Sequence, residues 1–115
     1  MKIQLLEKEI TKEKQRILLV DELDISYEKL VGIAILSNLG QGHIISNSTL
    51  AGVEVFPKNF EVDFLQSNYS VAPQKRFFPL QYTAKGKKIE LEITDSGKMP
   101  VYPYTFRIYL LLSNE

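Results

Sequence analysis

The run Tyr104–Leu112, YTFRIYLLL, sets the tightest limit on what this chain can fold into. Phe106, Ile108 and Leu110 alternate with Arg107 and Tyr109. Side chains of an extended strand point to opposite faces in turn, so the first set is expected to face a core and the second to point away from it. Leu111 and Leu112 extend this into a nearly unbroken apolar run, the pattern of a strand with neighbours on both sides. Tyr102-Pro103 before it and Ser113-Asn114-Glu115 after it mark its ends.

The same two-residue rhythm recurs upstream. Lys88–Thr94 (KIELEIT) alternates Ile89, Leu91 and Ile93 against Glu90 and Glu92. Lys29–Leu36 (KLVGIAIL) is a second apolar strand, and Gly32 inside it predicts a bulge or a close backbone approach. Leu50–Val55 and Phe60–Leu65 read as a hairpin or tight corner, with Phe60, Val62 and Phe64 facing inward. Arg76–Leu80 is a short strand that Pro79 places at an edge. Ser37–Ser48, rich in Ser, Asn and Gly, reads as a loop with at most a short strand at His43–Ile45, and 66–72 as another polar loop. Turns fall at Asp21–Ser26, Ala84–Lys87 and Asp95–Lys98, the last with Gly97 where a positive φ is needed.

The first sixteen residues fit two templates. Ile3, Leu6, Ile10 and Ile17 have helical spacing, but such a helix lacks an N-cap. The preferred reading is a strand over 2–10, a turn at Thr11–Lys14 and a strand over Gln15–Val20. About eight or nine short strands at roughly ten-residue spacing predict an all-β fold, a two-sheet antiparallel sandwich of Greek-key or jelly-roll type, in one domain spanning 1–115.

Composition removes several function classes. Fourteen basic and fourteen acidic residues cancel, which argues against a nucleic-acid binder driven by phosphate neutralisation. No cysteine is present for a disulfide or a thiolate metal site. The opening MKIQLLEKEI carries charges too early for a signal-peptide core, and no apolar run approaches the ~20 residues that cross a bilayer. A soluble, cytoplasmic protein is expected.

No constellation announces a chemistry. His43 is the single histidine, so any Ser-His-Asp arrangement would need it as base, yet no nucleophile elbow occurs; a loop histidine most often lies at the surface. The pairs Glu61/Asp63 and Glu90/Glu92 read as solvated strand faces rather than a glycosidase pair. Asp21, Asp24 and Asp95 have no EF-hand spacing. Gly40-Gln41-Gly42 lacks the strand-to-helix context of a nucleotide loop, and Lys85, Lys87 and Lys88 read as a solubilising hairpin tip. The expectation is therefore no catalytic, cofactor-binding or metal-ligating residue. Tyr102, Tyr104 and Tyr109, with Phe77 and Phe78, are candidates for packing, for an interface, or for a carbohydrate platform; His43 joins the three tyrosines as a candidate interface or ligand residue.

The polar hairpin at 10–16, the segment DELDISYEKLVGIAIL and the late RFFPL and YPYTFRIYLLL together resemble small β-sandwich subunits of bacteriophage virions. The resemblance is one of layout over nearly the whole chain. It implies a non-enzymatic structural protein that self-associates or docks into an assembly, and location in a virion if the chain is phage-encoded. A carbohydrate-binding sandwich is the alternative.

Overall fold

The computed structural model describes residues 1–36, 42–67 and 77–115, and they form two packed β-sheets. In chain order the strands are β1 (Lys2–Ile10), β2 (Arg16–Glu22), β3 (Lys29–Leu36), β4 (Ile44–Leu50), β5 (Val53–Glu54), β6 (Phe60–Glu61), β7 (Gln66–Ser67), β8 (Phe78–Thr83), β9 (Lys88–Thr94) and β10 (Tyr104–Ser113). The first sheet runs β1-β10-β3-β8, with β7 alongside β3 in parallel. The second runs β2-β9-β4, with β5 and β6 both paired to β4. All these pairings except β3–β7 are antiparallel.

β10 is the centre of the first sheet, held by β1 on one side and β3 on the other. Phe106, Ile108, Leu110 and Leu112 are fully buried, while Arg107 is exposed and Tyr109 half-buried on the opposite face. Ile89, Leu91 and Ile93 of β9 meet them from the second sheet in one continuous core. Burying one such side chain is worth about 1.5–3 kcal/mol, so these alternating rows account for much of the drive to fold. The bulge expected at Gly32 lies where the pairing of β3 slips between Leu30 and Gly32. A Cβ there would sit 2.8 Å from the Phe77 Cβ, so only glycine admits the Phe77 side chain.

Three segments depart from expectation. Residues 44–50 are a seven-residue strand in the middle of the second sheet rather than a loop; the part of that loop at 37–41 lies outside the described residues. The pairing slips between Ile45 and Asn47, so Ile45, Ser48 and Leu50 all point inward and the simple alternation is broken. The hairpin expected from 50–55 and 60–65 does not form, because β5 and β6 each pair with β4 instead of with each other. Beyond β6 the chain turns through a short 3₁₀ segment, Val62–Phe64. Its three-residue repeat buries Val62 and Leu65 and leaves Phe64 outward, 67% exposed. Finally, β2 continues through Asp21 and Glu22, which the sequence pattern assigns to a turn. Residues 68–76, including Arg76 of the RFFPL segment, lie outside the description. No helix among the described residues is long and apolar enough to cross a membrane.

Candidate functional site

Two regions concentrate features that a plain sandwich does not require: a polar cluster sealed inside one end, and an open side where β1 and β2 face each other.

The sealed cluster is centred on Asp95, the residue that follows β9. Its amide extends the β9–β2 ladder by bonding the Gln15 carbonyl at 2.9 Å, which fixes the carboxylate under the β1–β2 turn. Oδ2 accepts the Gly97 amide at 2.8 Å, the Lys14 amide at 3.1 Å and the Tyr102 hydroxyl. Oδ1 accepts the Tyr104 hydroxyl and lies 3.2 Å from His43 Nε2. The Tyr104 oxygen in turn is 2.6 Å from His43 Nε2. Because the single Tyr104 proton is committed to Asp95, the Tyr104 oxygen accepts from His43, and Nε2 therefore carries a proton. The His43 ring stacks on Phe106 at 5.9 Å and meets Tyr104 edge-on. The His43 carbonyl accepts the Val62 amide at 3.0 Å. One carboxylate thus ties together the β1–β2 turn, the β9–β10 loop, the entry to β4 and the start of β10.

A surface position is expected for His43 from the sequence, yet it is completely buried, with Asp95 at 2% exposure beside it. Burial pushes the Asp95 carboxyl up, but the hydroxyls of Tyr102 and Tyr104 and the amides of Gly97 and Lys14 outweigh it and hold the group below its ordinary range. Burial and then the hydrogen bond to Asp95 push the Tyr104 phenol far above its usual value, and the Tyr102 phenol rises for the same two reasons. The cluster is a closed hydrogen-bond circuit. Among the described residues no buried side-chain nitrogen or oxygen lacks a partner. A general base needs an aimed substrate proton and a nucleophile within reach. Here both ring and carboxylate are committed to each other and to tyrosine hydroxyls. The adjacent serine, Ser96, is itself buried and accepts the Lys98 amide.

The structure thus brings together three of the four singled-out residues, His43, Tyr102 and Tyr104, and adds Asp95, which the sequence reading places at the head of a turn and notes only for its lack of EF-hand spacing. The rings of Tyr102 and Tyr104 meet at 68°, not as a flat platform, and their hydroxyls are committed to Asp95. Tyr109 stands apart on the outer face of the first sheet, opposite Leu5 of β1. Asp21 and Asp24 are engaged by Gln4, and Asp24 also by Lys2, so they are tied to a different part of the fold from Asp95. No group of three or more carboxylate, histidine or cysteine side chains able to hold a metal occurs among the described residues.

The open side is built differently. β1 and β2 are joined by a short turn but belong to different sheets, and no strand pairing links them among the described residues. A cleft of about 580 Å³ lies between them, walled by Leu5, Leu6, Leu18, Leu19 and Val20 together with Glu7, Lys8 and Asp21. Leu5, Leu18 and Val20 are 42–48% exposed there and Ile3 is 55% exposed. The backbone of β2 is open along this side. Asp95 N–Gln15 O and Leu23 N–Lys87 O show that odd-numbered residues of β2 bond to β9. Antiparallel pairing alternates, so the amides and carbonyls of Arg16, Leu18, Val20 and Glu22 point outward. Glu22 is already engaged, its amide by the Asp21 side chain and its carbonyl by Gln4.

The other sheet edges are guarded. β1 carries Lys8 at a core-parity position between Leu6 and Ile10, β8 carries Pro79, and β5 and β6 are two residues long. Inward charge, proline and short length all discourage pairing with another strand. β2 carries its one core-parity charge, Asp21, toward its end, where Gln4 holds it, and has no charge or proline between Ile17 and Val20. Comparison with known proteins found no matching family model, no matching curated protein and no matching solved structure.

Proposed function

We propose that this chain is a non-enzymatic assembly protein that works by association through the side of the sandwich where β1 and β2 lie. The observation that carries this reading is the Ile17–Val20 stretch of the β2 edge, which holds no charge or proline and exposes Leu18 and Val20, with Ile3 and Leu5 on the neighbouring strand. An edge of this kind is a template for another strand, and proteins that stay monomeric usually block it. The buried, self-satisfied state of the His43–Asp95 circuit supports the same reading, since it serves the fold better than it serves a substrate. A role as a virion subunit is the specific form that the layout resemblance implies.

Sedimentation velocity over a concentration series tests the proposal. The wild-type chain is expected to associate reversibly, and L18K, which places a charge on the exposed apolar strip, is expected to remain monomeric. A wild-type chain that stays monomeric at millimolar concentration would count decisively against self-association.

A further inference from the structure

The β2 edge has a sequence that reads as complementary to itself when reversed. Its residues are Arg16-Ile17-Leu18-Leu19-Val20-Asp21-Glu22, basic at one end and acidic at the other, with the apolar run between. We infer that the partner at this edge is a second copy of the chain, paired β2 to β2 in antiparallel fashion about a two-fold axis at Leu19. The inference rests on the assembly reading above and names its partner.

In this register Leu18 stands opposite Val20 of the other copy, and Arg16 stands opposite Glu22. All four side chains have the same parity and lie on the outer face of the second sheet. That face gains an apolar strip, Leu18–Val20 twice over, closed at each end by an opposite-charge pair. The backbone agrees. Leu18 and Val20 point their amides and carbonyls outward, and neither carries a backbone partner on that side among the described residues. Four N–H···O bonds therefore form around the axis. They stop at Glu22, whose amide and carbonyl are engaged by Asp21 and Gln4, so the terminal contact is left to the side chains of Arg16 and Glu22. Both are exposed; Arg16 also lies 3.4 Å from Glu92 of its own chain, across an ion pair open to water that leaves it free to reorient. On the inner side Ile17 meets Asp21, which remains held by Gln4. Slipping the register by two residues one way places Arg16 opposite Val20 and loses the charge pairing; slipping it the other way sets Leu18 against Glu22 and carries Arg16 past the end of the strand to Asp24, which Lys2 already engages.

The test is a charge exchange in the full chain, read by sedimentation velocity, with circular dichroism to check that each variant is folded. R16E sets two carboxylates against each other at both ends of the paired strands, and E22R sets two guanidinium groups there instead. Each is expected to weaken the dimer about ten-fold or more, since two symmetry-related pairs turn repulsive together. The double variant R16E/E22R is expected to recover dimerisation. An equimolar mixture of R16E and E22R is expected to give a heterodimer, in which one end of the pairing joins the two introduced charges and the other joins the two native ones, both of opposite sign. If R16E is not folded, owing to the carboxylates gathered near Glu92, R16E, E22R and the double variant are compared in an E92Q background, which removes that repulsion. Dimerisation of the wild type that the single exchanges leave unchanged, or that the double variant and the mixture fail to rescue, overturns this register while leaving assembly standing. A wild type that never dimerises overturns both.

Discussion

The segment that carries β1 and β2 lies in two opposite environments. At its turn, Lys14 and Gln15 reach Asp95 through backbone groups, and every buried side-chain polar atom in that cluster has a partner. Along its strands, Leu5, Leu18 and Val20 stand half in water, beside β2 backbone groups with no strand partner among the described residues. The same segment is thus closed where it meets β9 and β10 and open where its two strands part. A buried polar group is costly unless satisfied, so satisfaction at the first end serves stability. An exposed apolar edge contributes little to the monomer, and the proposed association is placed there for that reason.

The sharpest break between the regions is Asp95→Ala. It leaves His43, two tyrosine hydroxyls and the amides of Gly97 and Lys14 without their common acceptor. The expected loss is about 3–5 kcal/mol, a large part of the ~5–15 available to a domain, measured by urea unfolding. A loss below ~1 kcal/mol would mean that water replaces the carboxylate and that the cluster is not a structural tie.

Next comes a comparison across β10 itself. Ile108→Ala opens a cavity under a fully buried side chain and is expected to cost about 2–5 kcal/mol. Tyr109→Ala, on the outer face, is expected to cost clearly less. Equal thermal shifts for the two variants would contradict the one-sided core.

These faces are legible in the sequence because β9 and β10 keep strict alternation, and so is the bulge at Gly32. β4 is not legible, for a physical reason. Its pairing slips between Ile45 and Asn47, which puts Ser48 inward, where the Phe56 amide and carbonyl satisfy its hydroxyl. A polar residue at a core position and a broken period both disguise a strand, and only pairing with β9 resolves them. Phe60–Leu65 misleads in the opposite way, since a 3₁₀ turn overrides its alternating pattern. The His43–Asp95 contact joins residues far apart in sequence, so no spacing could announce it. The available signal is Asp95-Ser96-Gly97 followed by Tyr102 and Tyr104, an Asx turn with two phenols of one parity close behind it. The β2 edge is half legible: Ile17–Val20 reads as strand, but that it borders a sheet follows only from the topology.

The pH dependence of stability separates the regions more gently. Asp95 has a folded pKa below its unfolded value, so its contribution is present above the ordinary carboxylate range, near ~4, and is lost as pH falls through that range toward the folded value. Tyr104 has a folded pKa above its unfolded value of ~10, so the unfolded chain releases this proton first and stability declines as pH rises past ~10. Urea midpoints between about pH 2 and about pH 11 are expected to form a plateau with two falling limbs. Asp95→Asn should flatten the acid limb and Tyr104→Phe the alkaline one. An unchanged acid limb in Asp95→Asn would assign acid unfolding to other carboxylates.

The smallest expected effect on the monomer belongs to the open side. Leu18→Lys removes a side chain that is 48% exposed, on an edge strand, with no partner strand beyond it among the described residues. Away from buried features such changes usually move stability by no more than about 0.5 kcal/mol. The unfolding midpoint of this variant, taken at a dilution where the wild type is monomeric, is therefore expected to match the wild type while its association is abolished. At concentrations where the wild type associates, the two midpoints should separate, because binding to the folded state alone adds stability by mass action. That concentration dependence is the discriminating feature. A variant already destabilised by more than ~1 kcal/mol at high dilution would show that Leu18 supports its own sheet, and the exposed strip would then belong to the fold rather than to a partner.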